Sequence, residues 1–198
     1  MKSIALIFIV SVTSLFTPVT SNDILVYDLI VSGEKIGTVT ATKKVEGNKI
    51  IYTSNSDATT SMLFKIDIKT RMTVVYKNNI LQESSYQFYK NGKLKEEANV
   101  TLSNGIYSII HDKKVTTYNK KIVKSTIILP FEKPNDKDSY FEEVEGNFKT
   151  IKLIKENNYQ LYNQNNTQKD DYNYKDGNLQ SSLVRNTLVD FKMVLKTK

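Results

Sequence analysis

The chain is predicted to be all-β, an antiparallel meander closed or curled into a β-barrel or half-barrel with little helix. Three observations predict it. Apolar residues recur at every second position, with almost no helical period. Five of the seven glycines stand in turn signatures: Glu46-Gly47-Asn48, Asn91-Gly92, Asn104-Gly105, Glu145-Gly146-Asn147 and Asp176-Gly177. Both prolines beyond Pro18 fall in one short segment, so the rest of the chain is free to form ladders.

Residues 1–21 read as a secretory signal peptide. Lys2 precedes an apolar run from Ile4 to Phe16, and Val19-Thr20-Ser21 stands before a plausible cut at Asn22. The run is shorter than the ~20 residues of a spanning helix, and Pro18 follows it. No cysteine follows, so a lipoprotein anchor is not expected. The chain is therefore expected to be exported through the Sec route, to the periplasm or the cell exterior, and not to span a membrane after cleavage.

Residues 22–198 are expected to form one β-barrel-like domain. Met62, Phe64, Ile66, Ile68, Thr70, Met72, Val74 and Tyr76 share one face, and Lys65, Asp67, Lys69 and Arg71 the other. A straight strand of that length would reach ~50 Å, so the run is expected to curl, or to break near Thr70-Arg71. Leu94, Ala98, Val100 and Leu102 alternate likewise, as do Val189, Phe191, Met193 and Leu195, and more weakly Leu179, Ser181 and Leu183. The turn spacing predicts roughly ten to twelve strands. The segment 130–139 is a proline-containing loop within the domain, and Ser139-Tyr140-Phe141-Glu142 after it has the pattern of a capped helical turn. A sheet with one apolar face and no helices to cover it must close or fold over. A two-sheet sandwich and a membrane-spanning barrel are the alternatives.

Composition excludes several chemistries. The chain has 198 residues, a formal charge of +7, no cysteine, no tryptophan and one histidine. Disulfides, thiolate metal sites, cysteine nucleophiles and multi-histidine zinc centres are ruled out. All the basic residues except Arg71 and Arg185 are lysines, interleaved with acids. Phosphate recognition favours the arginine fork, so a solvated surface is expected and no nucleic-acid partner.

Tyr27-Asp28-Leu29-Ile30-Val31, Glu34-Lys35-Ile36-Gly37-Thr38, Tyr140-Phe141-Glu142-Glu143 with Gly146, and Tyr172-Asn173-Tyr174-Lys175-Asp176-Gly177-Asn178-Leu179 form a further pattern. It resembles an uncharacterised family of secreted β-proteins from Bacteroidetes, a domain of unknown function. The resemblance implies an exported all-β protein and brings no catalytic residue with it.

No catalytic or metal site and no cofactor is expected. His111 reads as a surface histidine at a turn, with no nucleophile elbow elsewhere. Glu96-Glu97, Glu142-Glu143 and Asp170-Asp171 are neighbours whose side chains point to opposite faces of a strand. Asn135-Asp136-Lys137-Asp138 has oxygen ligands without calcium-loop spacing. The twelve tyrosines are expected to fill the core and pair across strands. The leading functional expectation is an exported binding protein holding an apolar or amphipathic ligand inside the curled sheet. Phe64, Ile66, Ile68, Tyr86 and Phe88 would line it, and Phe131, Tyr140 and Phe141 would form a lid. The partner would be a hydrophobic small molecule or an envelope component. The alternatives are an envelope interaction or scaffold protein with a filled core, and third a hydrolase-type enzyme.

Overall fold

The computed structural model describes residues 20–60, 65–163, 165, 169–185 and 190–196. The predicted signal peptide lies outside the described residues up to position 19, while Thr20 and Ser21 already pair within the first strand. The strands are β1 (Thr20–Val31), β2 (Glu34–Glu46), β3 (Lys49–Thr60), β4 (Ile66–Lys77), β5 (Ile80–Lys90), β6 (Lys93–Ser103), β7 (Ile106–His111) and β8 (Lys114–Tyr118). After a 3-10 turn at Thr126–Ile128 come β9 (Ser139–Glu142), β10 (Asn147–Lys155), β11 (Asn158–Tyr162), β12 (Lys169–Lys175), β13 (Asn178–Val184) and β14 (Phe191–Leu195).

All fourteen strands form one antiparallel sheet in the order β8-β7-β6-β5-β4-β3-β2-β1-β14-β13-β12-β11-β10-β9. The first and last strands meet at its centre, where Tyr27 faces Leu195 and Leu29 faces Met193. The described part of the predicted long strand runs unbroken from Ile66 to Lys77, with no break at Thr70-Arg71. The turns are as their residues dictate: Asn91 and Gly92, Asn104 and Gly105, and Asp176 and Gly177 all have positive φ.

Bulges interrupt two of the predicted alternations and the β1–β2 pair. A register shift between Phe88 and Tyr89 leaves Leu94 exposed while Ala98 and Val100 stay buried. Another between Asn173 and Tyr174 turns Leu179 inward, so that Ser182, not Leu183, shares its face. A third falls between Leu29 and Ile30, beside Gly37. A side chain at Gly37 would meet the Asp57 carbonyl oxygen at 2.2 Å, so only glycine lets β2 approach β3 there. Each bulge adds twist, which is what curls so wide a sheet.

The edge strands β8 and β9 are not paired with each other. Their side of the sheet closes through side chains. Tyr118 lies 5.3 Å from Phe148, ring to ring, and Phe148 lies 5.5 Å from Phe141. Gly146, at φ +69°, sits so close to Ile109 that an added Cβ would meet its Cγ2 at 2.5 Å.

The segment between β8 and β9 fills one end of the curled sheet. Ile122, Ser125, Ile127, Ile128 and Leu129 are buried there. Buried tyrosines hold it. Tyr107 donates to the Leu81 carbonyl (2.9 Å) and accepts from the Ile122 N–H (3.2 Å). Tyr174 donates to the Leu129 carbonyl (2.9 Å), and Tyr76 to Ser125 Oγ (2.7 Å). Ser125 also forms an isolated parallel bridge with Phe141, extending β9 toward the interior. Ser139–Glu142 is therefore a strand, not the predicted helical turn: the Phe141 N–H donates to the Lys124 carbonyl, a ladder bond that a helical turn would forfeit.

Glu143 locks this plug. Its carboxylate is 1% exposed and accepts from Thr126 Oγ1 (2.5 Å) and the Ile127 N–H (3.2 Å), with Ser125 as a further donor. Burial pushes this carboxyl upward, and those donors pull it back.

Candidate functional site at the open end

The inner face changes character along the strands. At the plugged end Tyr27, Tyr52, Val74, Tyr76, Leu81, Val100 and Tyr107 are all buried. Toward the other end Ile66, Ile68, Met72, Tyr86, Phe88, Glu96, His111, Glu142, Lys149, Tyr172, Phe191 and Met193 are only half-buried. The register places these on one face. Met72 lies opposite Tyr86, Tyr86 opposite Ala98, and Ala98 opposite His111. We call this less buried stretch of the inner face, at the end away from the plug, the bowl.

Its walls bring ionisable groups together from strands far apart in sequence. Tyr86 on β5 and Tyr172 on β12 are both raised chiefly by burial, and both also feel the charge of Glu142 at the end of β9. Burial pushes the Glu142 carboxyl up to about 7, against the opposing pull of Lys149 and of the Glu145 N–H, which donates to Glu142 Oε2 at 2.7 Å. Burial also raises Asp170, which is 6% exposed and accepts from the Arg185 N–H at 2.8 Å. Tyr86 is pushed up to about 12, first by burial and then by Glu96 and Glu142. Ser182 faces inward opposite Tyr172, is 2% exposed, and its hydroxyl has no partner among the described residues. Buried carboxyls and an unpartnered hydroxyl cost stability, and such costs concentrate where a protein binds something.

The predicted lining residues divide. Ile66, Ile68, Tyr86 and Phe88 stand together on the inner face of β4 and β5 in the bowl. Phe64 lies outside the described residues. The predicted lid does not form over them. Phe131 packs on Tyr52 at the plugged end, with ring centroids 5.7 Å apart. Tyr140 and Phe141 are 1% and 0% exposed on β9, part of the core that flanks the plug. The reason is that the proline segment crosses the closed end: the Leu179 N–H donates to the Pro130 carbonyl, and the Lys137 N–H to that of Ile151.

Sequence reasoning missed Glu96, Glu142, Lys149, Asp170, Tyr172 and Ser182 as a group. The expectation that Glu142 and Glu143 point to opposite faces of one strand does not apply: Glu142 ends β9, and Glu143 lies in the turn beyond it, sealed against the plug. What sequence reasoning lacked was the curl of the sheet, which brings Glu142 on β9 within electrostatic reach of Tyr86 on β5 without any pairing between those strands. A cleft of about 410 Å3 lies instead on the outer surface, where Gln160, Asp171, Asn173, Leu183 and Lys192 face away from the core. Tyr172 and Ser182 also border it, and several of its outward polar groups pair with one another, as in Gln160 to Asp171 (2.8 Å) and Asn173 to Asn158 (2.5 Å). No helix among the described residues is long and apolar enough to cross a membrane.

These features define an antiparallel, barrel-like β-protein plugged at one end. The chain belongs to the family described as Domain of unknown function (DUF6134), whose model matches residues 27–196. It is similar in fold to a crystal structure from Brucella abortus, a beta-barrel-like protein of domain of unknown function DUF1849. That likeness has a TM-score of 0.52 and 11% identity, covering 91% of this chain and 97% of the other. No curated protein matches the chain.

Proposed function

We propose that the chain is an exported binding protein that holds an amphipathic ligand in the open bowl. One observation carries the reading. The inner face is fully buried at the plugged end, yet half-exposed at the other, where an apolar wall stands beside buried acids. Ile66, Ile68, Met72 and Phe88 suit an apolar body. Glu142, Asp170 and the Ser182 hydroxyl suit a hydrogen-bond-donating head, with Lys149 available to a polar oxygen.

The test is native mass spectrometry of the protein purified without detergent from its own envelope, followed by solvent extraction. The expected result is a mass excess that solvent releases and that Phe88→Ala or Glu142→Ala reduces severalfold. A bare polypeptide mass from that source would contradict the reading.

A second reading has its own observation. Ile106, Ile110 and Val115 are exposed at the β7–β8 edge of the sheet, by 51%, 38% and 60%. Ile110 and Val115 are directly opposed on the outer face. These exposed apolar side chains suit contact with an envelope component.

A further inference from the structure

We propose that Glu96, His111 and Asp112 form a binding site for one divalent transition-metal ion, with zinc the best fit, at the rim of the bowl. One imidazole nitrogen and two carboxylates offer ligand atoms that all lie within 4.8 Å of one another. They come from the end of β7, the β7–β8 turn and the adjoining β6, so three short connections hold them in place. Imidazole with carboxylate is the donor set that zinc and its neighbours favour, with water completing the coordination.

The distances fit an ion. Ligands about 2.0–2.1 Å from a tetrahedral zinc stand about 3.3 Å from one another. His111 Nε2 is 2.8 Å from Glu96 Oε1 and 3.8 Å from Asp112 Oδ2. Both gaps are within about half an ångström of that spacing, and the third, between the two carboxylates, is no more than 4.8 Å. Asp112 is also oriented, because its Oδ1 accepts from the Glu97 N–H at 3.3 Å and leaves Oδ2 toward the imidazole.

The surrounding charge supports the same assignment. Lys95, Lys113 and Lys114 are close in the chain and exposed, and Lys114 lies opposite His111 in the β7–β8 register. Yet among the described residues neither Glu96 nor Asp112 has a lysine within ion-pair distance; each has only the imidazole. Two carboxylates share one histidine, an excess of negative charge that a dication balances and a proton on the ring only half offsets.

The test is calorimetric titration of the folded chain with zinc chloride in a non-chelating buffer, repeated with cobalt and its visible absorption. The expected result is one ion per chain in the micromolar range. His111→Ala should weaken it at least about tenfold, and Glu96→Gln and Asp112→Asn each severalfold. Asp176→Asn, at the opposite end of the sheet, should leave it unchanged. Circular dichroism of each variant shows whether the sheet is intact. Binding that survives His111→Ala in a folded variant, or no saturation below millimolar zinc, overturns the proposal. The reading of the bowl as a ligand site is tested separately, at Phe88 and Glu142, and is untouched by either outcome.

Discussion

Glu143→Ala should lower the unfolding free energy by about 3–5 kcal/mol, among the largest losses any single substitution in this chain would cause. The carboxylate accepts from Thr126 Oγ1, the Ile127 N–H and Ser125, and all three donors lie in the plug. Alanine strands the buried Ser125 hydroxyl and Ile127 N–H and the half-buried Thr126 hydroxyl, and each buried unsatisfied group costs about 1–3 kcal/mol. Glu143→Gln keeps an acceptor oxygen and sheds the buried charge, so it should cost much less. Denaturant unfolding of both variants checks the ordering. Equal losses would mean that the carboxylate does not hold the plug, and that the tyrosine bonds to Leu129 and Ser125 suffice.

The second large effect is on the pH dependence of stability. The Glu142 carboxyl lies at about 7 in the folded chain, against an ordinary value near 4.5. The fold therefore binds a proton that the unfolded chain has released. Stability contributed by that proton is complete below about pH 4.5 and is lost as pH rises toward 7, a fall of about 3 kcal/mol. Glu142→Gln cannot ionise, so the wild-type curve should drop relative to the variant across this window and run parallel outside it. Lys149, Glu143, Glu145, Tyr86 and Tyr172 face the same carboxyl and persist in the variant, so the difference isolates Glu142. Thermal melts from pH 4 to 8 read it directly. Superposable curves would place Glu142 in water.

The strands were legible because alternation is a local signal. Met72, Val74 and Tyr76 share a buried or half-buried face, as their spacing by twos requires. The Asn-Gly and Asp-Gly turns were legible because positive φ selects those residues. Bulges were not, since the extra residue at Lys95 or Gln180 carries no mark of its own. Nor was the plug. Ile122, Ile127 and Leu129 look like any apolar loop residues until the tyrosines of β4, β7 and β12 converge on them. The abundance of tyrosine had a reason that composition alone could not supply: a hydroxyl on a long apolar side chain can both fill the core and hold an irregular backbone inside it.

The bowl was half legible. Ile66, Ile68, Tyr86 and Phe88 followed from alternation within one hairpin. Glu142 and Tyr172 did not, because they join that face only when β9 and β12 arrive from the other side of the sheet. His111 looked solitary for a related reason. Its partner Glu96 is fifteen positions away, and the bulge at Phe88–Tyr89 decides which of Glu96 and Glu97 turns toward it.

The chain has no tryptophan, so a single one introduced at either end reports without background. Phe88→Trp places it in the bowl, and Phe131→Trp beside the plug. Titrating each with a brominated alkyl amphiphile, a contact quencher, tests whether one end is open and the other closed. The structure predicts strong, saturable quenching for Trp in place of Phe88 and little for Trp in place of Phe131. Equal quenching at both positions, or none in the bowl, would contradict it.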